Sequence, residues 1–193
     1  MMRGWMFLAG LLILAACSPD DVTKSGPVGG EEDVAYAERL WSAMEKQHLV
    51  GSDAKPLKPF FGGAKPHGMI LELATQMVTV DDHTGFLVAK RNYNGEGVSV
   101  AAVGKDRKRF LSSVTIMHQR KSGYDSDNLN WFWAKYRPDG TLFDKGGVKL
   151  AGRIKKAKSW DDYGGCLYCH SSAGGGDYIF YPDIKLPGFN YDE

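Results

Sequence analysis

The chain is poor in the features that usually declare a class. It has three cysteines in 193 residues. Two of them, Cys166 and Cys169, stand so close that a disulfide between them would close a very small loop and add little chain-entropy stabilisation. A structural staple is therefore disfavoured. Histidine is scarce as well: His48, His67, His83 and His118 are scattered singly, so no second Cys or His pair completes a four-ligand zinc site with the cysteines. The apolar run near the start, Met6 to Ala16, falls far short of the roughly 20 residues that cross a bilayer as a helix. Net charge is +1, which gives no electrostatic reason to expect nucleic acid. No internal repeat is present.

What is there begins at the N-terminus. One positive charge, Arg3, precedes the short apolar run, which is the anatomy of a secretory signal peptide. The run ends Leu14-Ala15-Ala16-Cys17, which resembles the lipobox of bacterial lipoproteins, where the cysteine is acylated and starts the mature chain. More than one acyl chain on Cys17 would give lasting attachment, and Ser18 behind it points to the outer membrane. The alternative is an ordinary signal peptide with an incidental cysteine. The expected division is a lipoprotein signal peptide over 1–16, a flexible Gly/Pro/Asp-rich linker over 17–32 and one domain over 33–193. About 160 residues suffice for one domain with its own core.

Export leaves Cys166 and Cys169 in an oxidising compartment, within the stretch Gly164-Gly165-Cys166-Leu167-Tyr168-Cys169-His170. A thioredoxin-like redox pair opens a helix within a βαβ unit, and this pair lies too near the chain end for another helix and parallel strand to follow. The remaining reading is the Cys-x-x-Cys-His signature of covalent c-type haem attachment. Thiols three residues apart lie nearly one helical turn from each other, so both can form thioethers to the vinyl groups on one porphyrin edge. His170 is then the expected proximal iron ligand. Ser159 and Asp162 resemble a capping box, and Gly174-Gly175-Gly176 would end the helix, so a short helix weakened by Gly164 and Gly165 is expected to carry the motif.

Residues 171–193 contain neither methionine nor histidine, so the usual sixth ligand of electron-transfer cytochromes is missing there. Met44, Met69, Met77 and Met117 lie upstream, where methionine is commonly a core filler. The expectation is one protein ligand and one open iron face. The alternative is a simple periplasmic electron-transfer cytochrome with an upstream sixth ligand. Lys149, Arg153, Lys155, Lys156 and Lys158 form a basic run that is either a solvated face or a guide for an acidic redox partner.

Elsewhere the pattern argues against a helix bundle. One amphipathic helix is expected from Asp33 to His48, with Val34, Ala37, Leu40, Trp41 and Met44 on one face. Residues 49–68, rich in proline and glycine, read as loop. Strands are expected at 69–80, 85–93, 99–103, 112–119 and 130–136, with a turn at 137–141. The fold class is α+β: an antiparallel sheet with an N-terminal helix and a short C-terminal haem-binding helix.

The ordered set of Pro66-His67-Gly68, the stretches 87–97 and 114–128, the aromatic block Trp131 to Tyr136 with its Pro-Asp-Gly, and the Cys-Leu-Tyr-Cys-His motif with Asp177-Tyr178 behind it resembles the cytochrome P-460 family. The resemblance covers most of the mature domain. It implies a likeness to the β-sheet form of cytochrome c′, a periplasmic homodimer with one covalently attached five-coordinate haem c, and action on small nitrogen compounds. Enzymatic members oxidise hydroxylamine and pass electrons to a redox partner cytochrome, while the c′-like relatives bind nitric oxide. In the enzymes a lysine is joined to the porphyrin edge. Lys90 is the best match, because Phe86, Val88, Lys90 and Asn92 share one strand face; a lysine at an exposed strand end is the plainer reading. Family enzymes use a pocket carboxylate as proton relay, and the strand around residue 116 offers none. His118 falls on the apolar side with Val114 and Ile116, which makes it the candidate proton acceptor, or else a hydrogen-bonded core residue. His67 carries the same ambiguity.

Overall fold

A computed structural model of the chain describes residues 28–62, 66–154 and 165–180. Helix α1 (Glu31–Lys46) opens with Glu31, Glu32 and Asp33, whose charges favour the positive end of the helix dipole. Its apolar face is continuous. Tyr36, Ala37, Leu40, Trp41 and Met44 are all buried, and this stripe needs a sheet to cover it.

That sheet is antiparallel and six-stranded, in the order β1-β2-β3-β4-β5-β8. Strands β2 (Ile70–Val80) and β3 (His83–Tyr93) form a hairpin paired from Val80↔His83 out to Ile70↔Tyr93. Strand β4 (Leu111–Gln119) pairs with β3, and β5 (Trp131–Tyr136) with β4. The two-residue strands β1 (Phe60–Phe61) and β8 (Ala151–Gly152) close the edges, and β6 (Asp144–Lys145) pairs separately with β7 (Val148–Lys149). An α+β domain on an antiparallel sheet is thus present, as its alternating patterns require.

Alternation sorts each strand into two faces. One face, with Val78, Leu87, Ala89, Ile116, Phe132 and Ala134, packs under α1. Tyr136 donates its hydroxyl proton to Ala37 O at 2.8 Å and ties the helix down. The opposite face, with Val88, Met117, Trp131 and Trp133, receives Leu167 of helix α4 (Gly165–His170). The sheet therefore separates α1 from the helix that bears the Cys-x-x-Cys-His motif.

The expected strand at 99–103 is instead helix α2 (Val100–Lys105), followed by the single turn α3 (Arg107–Phe110). The β-propensity of two valines loses here to a cap. Ser99 Oγ accepts the Ala102 N–H at 3.1 Å, and Ala101 and Ala102 are strong helix formers. The turn at 137–141 is as expected: Gly140 has φ 88°, and a Cβ there would lie 2.5 Å from Trp41 Nε1, so α1 itself requires glycine. No helix among the described residues is long and apolar enough to cross a membrane. The signal peptide with Cys17, most of the linker, Ser159, Asp162 and Lys155 to Lys158 of the basic run lie outside the described residues.

Candidate functional site

Between the sheet and α4 lies a cavity of about 250 Å³, lined among others by Val88, Lys90, Thr115, Met117, Trp133, Cys166 and His170. Each arrives for a simple reason. Lys90 and Val88 share a face of β3, Thr115 and Met117 face the same way from β4 across the pairs Lys90↔Thr115 and Val88↔Met117, and Trp133 continues the row on β5 opposite Met117. Leu167, 1% exposed, docks α4 on that row and delivers the two residues of the motif that reach the cavity, Cys166 and His170. Both thiols are free, Cys166 half-buried and Cys169 exposed.

His170 is buried, 5% exposed, with Trp133 and Phe180 against its ring at centroid distances of 5.2 and 5.4 Å. Its Nδ1 lies 2.5 Å from Tyr178 O. A carbonyl only accepts, so Nδ1 carries the proton and Nε2 keeps its lone pair, the arrangement that orients a metal-ligating imidazole. Burial, with the nearby Lys90 ammonium, pulls His170 down to about 4, which keeps the ring neutral.

Lys90 is 9% exposed and has no hydrogen bond or ion pair from its ammonium among the described residues. Burial brings its pKa down to about 8, opposed by Cys166. Trp133 supplies another unsatisfied group: its Nε1 is buried with no acceptor among the described residues. The site thus combines the Cys166 thiol, the His170 imidazole with its free lone pair, a buried amine and an indole donor. A group that offers a metal, a vinyl edge and carboxylates would answer these donors, and haem is such a group.

His118 is not in this cavity. It pairs with Leu87 and Phe132, which lie on the α1 face. Tyr36 Oη stands 2.8 Å from its Nδ1, and its Nε2 lies 3.1 Å from Val78 O. The alternation that places it beside Val114 and Ile116 is correct, but both faces of the sheet are apolar and the helix covers this one. The ring is a satisfied core group. Since Val78 O must accept from Nε2, Nδ1 accepts from Tyr36.

That placement has a measurable consequence. Burial lowers His118 from 6.5 to about 4. Between pH 7.5 and 5 the unfolded chain takes up a proton that the folded one refuses, so stability falls with pH by about 2 kcal/mol from this residue alone. In urea titrations at the two pH values, His118→Gln should lose that much less stability on acidification than the parent chain. Equal losses would remove His118 from the balance.

Among the polar and aromatic groups that line the cavity, Thr115, Trp133 and Lys135 carry no site signal in the sequence, and neither does the Tyr178 carbonyl that holds His170. His67, ambiguous on sequence, lines the cavity too. Of the upstream methionines, Met117 lines the cavity, Met44 sits in the α1 core, and Met69 and Met77 are exposed. No carboxylate lines the cavity among the described residues. Comparison with family models, curated proteins and solved structures gave no match in any of the three.

Proposed function

We propose that the chain is an exported monohaem c-type cytochrome of the cytochrome P-460 kind, whose haem would bind a small nitrogen compound such as nitric oxide. Cys166 and Cys169 would hold the ring as thioethers and His170 would be the proximal ligand. Bound there, the haem would supply an iron centre able to take nitric oxide or to accept electrons from hydroxylamine. The observation that carries the reading is the state of His170: its Nδ1 proton is committed to Tyr178 O, leaving Nε2 free beside Cys166 in an apolar cavity. Val88, Met117 and Trp133 give it apolar walls, which disfavour water beside a bound haem.

Binding is favoured over oxidation. The candidate proton acceptor His118 lies across the sheet, and no lining carboxylate replaces it among the described residues. Lys90 keeps the oxidising reading open, since a buried amine with pKa about 8 beside Cys166 is partly neutral at pH 7 and placed to be joined to the ring. In the same reading Cys17 is lipidated, the domain is anchored on the periplasmic side of the outer membrane as a homodimer, and a partner cytochrome exchanges electrons with it.

The test is an absorption spectrum of the purified reduced protein, taken with its mass under denaturing conditions. One haem retained on denaturation, with a new band set on addition of nitric oxide, is the expected result. Haem that stays on the chain after chemical cleavage of both thioethers would identify the Lys90 link and favour hydroxylamine oxidation. A protein that never acquires haem would overturn the reading.

A further inference from the structure

Strand β2 stands almost bare at one edge of the sheet. Its outer neighbour, β1, pairs with Ile70 and Leu71 and goes no further, so the length from Glu72 to the turn at Asp81 has no strand beside it among the described residues. The backbone groups along it have a fixed direction. Gly62 N donates to Met69 O on the β1 side, and β2 continues from there with period two, so Leu73, Thr75, Met77 and Thr79 turn their N–H and C=O groups outward. Val78, at one of the alternate positions, turns its carbonyl the other way, toward His118 Nε2 across β3. Thr79 Oγ1 and Thr84 Oγ1, 2.8 Å apart, mark the close kind of antiparallel pair, in which the two residues exchange no backbone bond. None of the four outward residues has a backbone partner on that side among the described residues.

Natural sheets blunt such an edge with charge, proline or a bulge. This one has none of them: Leu73 to Val80 holds no charged residue and no proline, its register with β3 is unbroken, and Met77 is 55% exposed beside it. The stretch is also close to its own complement. Its open length, 72–80, is centred on Gln76. A second copy laid antiparallel about that residue sets Thr75 against the partner's Met77 and Leu73 against the partner's Thr79, so the outward groups of one copy meet those of the other in register. Small residues then face larger ones, and no like charges meet. On the opposite face Ala74 meets the partner's Val78, and the two Gln76 side chains, each held from α1 by Gln47, stand opposite one another. A two-fold contact demands such self-complementarity, and a foreign strand does not.

We propose that the protein dimerises edge to edge through β2, with Gln76 on the two-fold axis, so that two six-stranded sheets become one. Such pairing rests on the homodimer of the reading above and gives it a surface, through backbone geometry that needs no haem. The axis passes from one face of the sheet to the other. Both α1 helices therefore lie on one side of the joined sheet and both cavities on the other.

The experiment is disulfide trapping of the full chain in the membranes of the cells that make it, read on a non-reducing gel beside the parent chain, which accounts for Cys166 and Cys169. Gln76→Cys should give a reducible species of twice the chain mass, since Cα atoms paired on the axis stand about 4.5–5.5 Å apart, within disulfide reach. Thr79→Cys should give none, because its counterpart lies about 20 Å away along the paired strand. Sedimentation of the detergent-solubilised holoprotein is the second readout. The parent should be a dimer, and Thr75→Lys with Met77→Lys, which sets ammonium against ammonium across the axis, should be a monomer. Thr75→Glu with Met77→Lys should be a dimer again, a recovery that mere damage to the strand would not allow. Equal trapping at both positions, or a dimer indifferent to these charges, would overturn the proposal, and a trapped species of some other mass would replace the second copy with a foreign strand. A parent monomer carrying covalent haem would overturn it while leaving the haem reading intact. A dimer trapped at Gln76→Cys that never acquires haem would support it and overturn that reading.

Discussion

A Glu72→Ala chain should be less stable than its parent by about 3–5 kcal/mol, the usual cost of removing one partner from a buried ion pair. Glu72 is fully buried near the start of β2, on the strand face that also carries Ala74 and Val78. Its carboxylate accepts from Arg91 Nη1 at 2.9 Å, Arg107 Nε at 2.7 Å and the Tyr93 hydroxyl at 2.7 Å. Burial and the Glu72 charge together push Tyr93 well above its usual range, which keeps the phenol a donor. Arg91 also donates to Leu49 O and Lys55 O, and Arg107 to Leu57 O. The carboxylate is thus the common anchor for two arginines that pin the loop after α1. Without it, Arg91, 4% exposed, keeps a buried charge with only carbonyls around it. Urea denaturation at pH 7 would measure the loss. A difference below about 1 kcal/mol would mean that the loop relaxes and water reaches Arg91.

The second large effect concerns covalent attachment. If Cys166 and Cys169 hold a haem as proposed, replacing both by serine should leave none on the denatured chain, whereas each single variant should keep it through one thioether. The fold itself should survive. Cys169 is exposed, and α4 is anchored chiefly by the fully buried Leu167, with the part-buried Cys166 packed beside it and close in size to serine. Denatured mass and the residual absorption of the denatured chain read the attachment, and circular dichroism of the native chain reads the fold. Covalent haem on the double variant would show that another side chain holds the ring, with Lys90 the first to examine.

Much of this architecture was legible because its periodicities are long. The helical stripe from Ala37 to Met44 and the alternation through β2, β3 and β4 each repeat over several residues, so single exceptions do not mask them. The same alternation correctly set Lys90 with Val88 and away from Ala89. It failed where the signal was short or two-sided. Five residues at 99–103 were too few for β-propensity to outweigh the Ser99 cap. His118 was sorted onto the right strand face, but a sheet apolar on both sides does not say which face meets the cavity. His67 was the harder case. It is held by Asn92 and Thr115, which are 25 and 48 residues away along the chain and reach it only through strand pairing.

The bond between His170 and Tyr178 bears on what the chain can tolerate over time. The acceptor is a main-chain oxygen, so exchanging the tyrosine side chain leaves the hydrogen bond in place. Tyr178 has φ 67°, a conformation that glycine or asparagine also adopts readily. Inserting or deleting a residue between 170 and 178 would instead carry the oxygen away from the ring. The hold on this histidine is therefore inherited as a chain length, and drift in the residues behind the motif is constrained in number more than in kind.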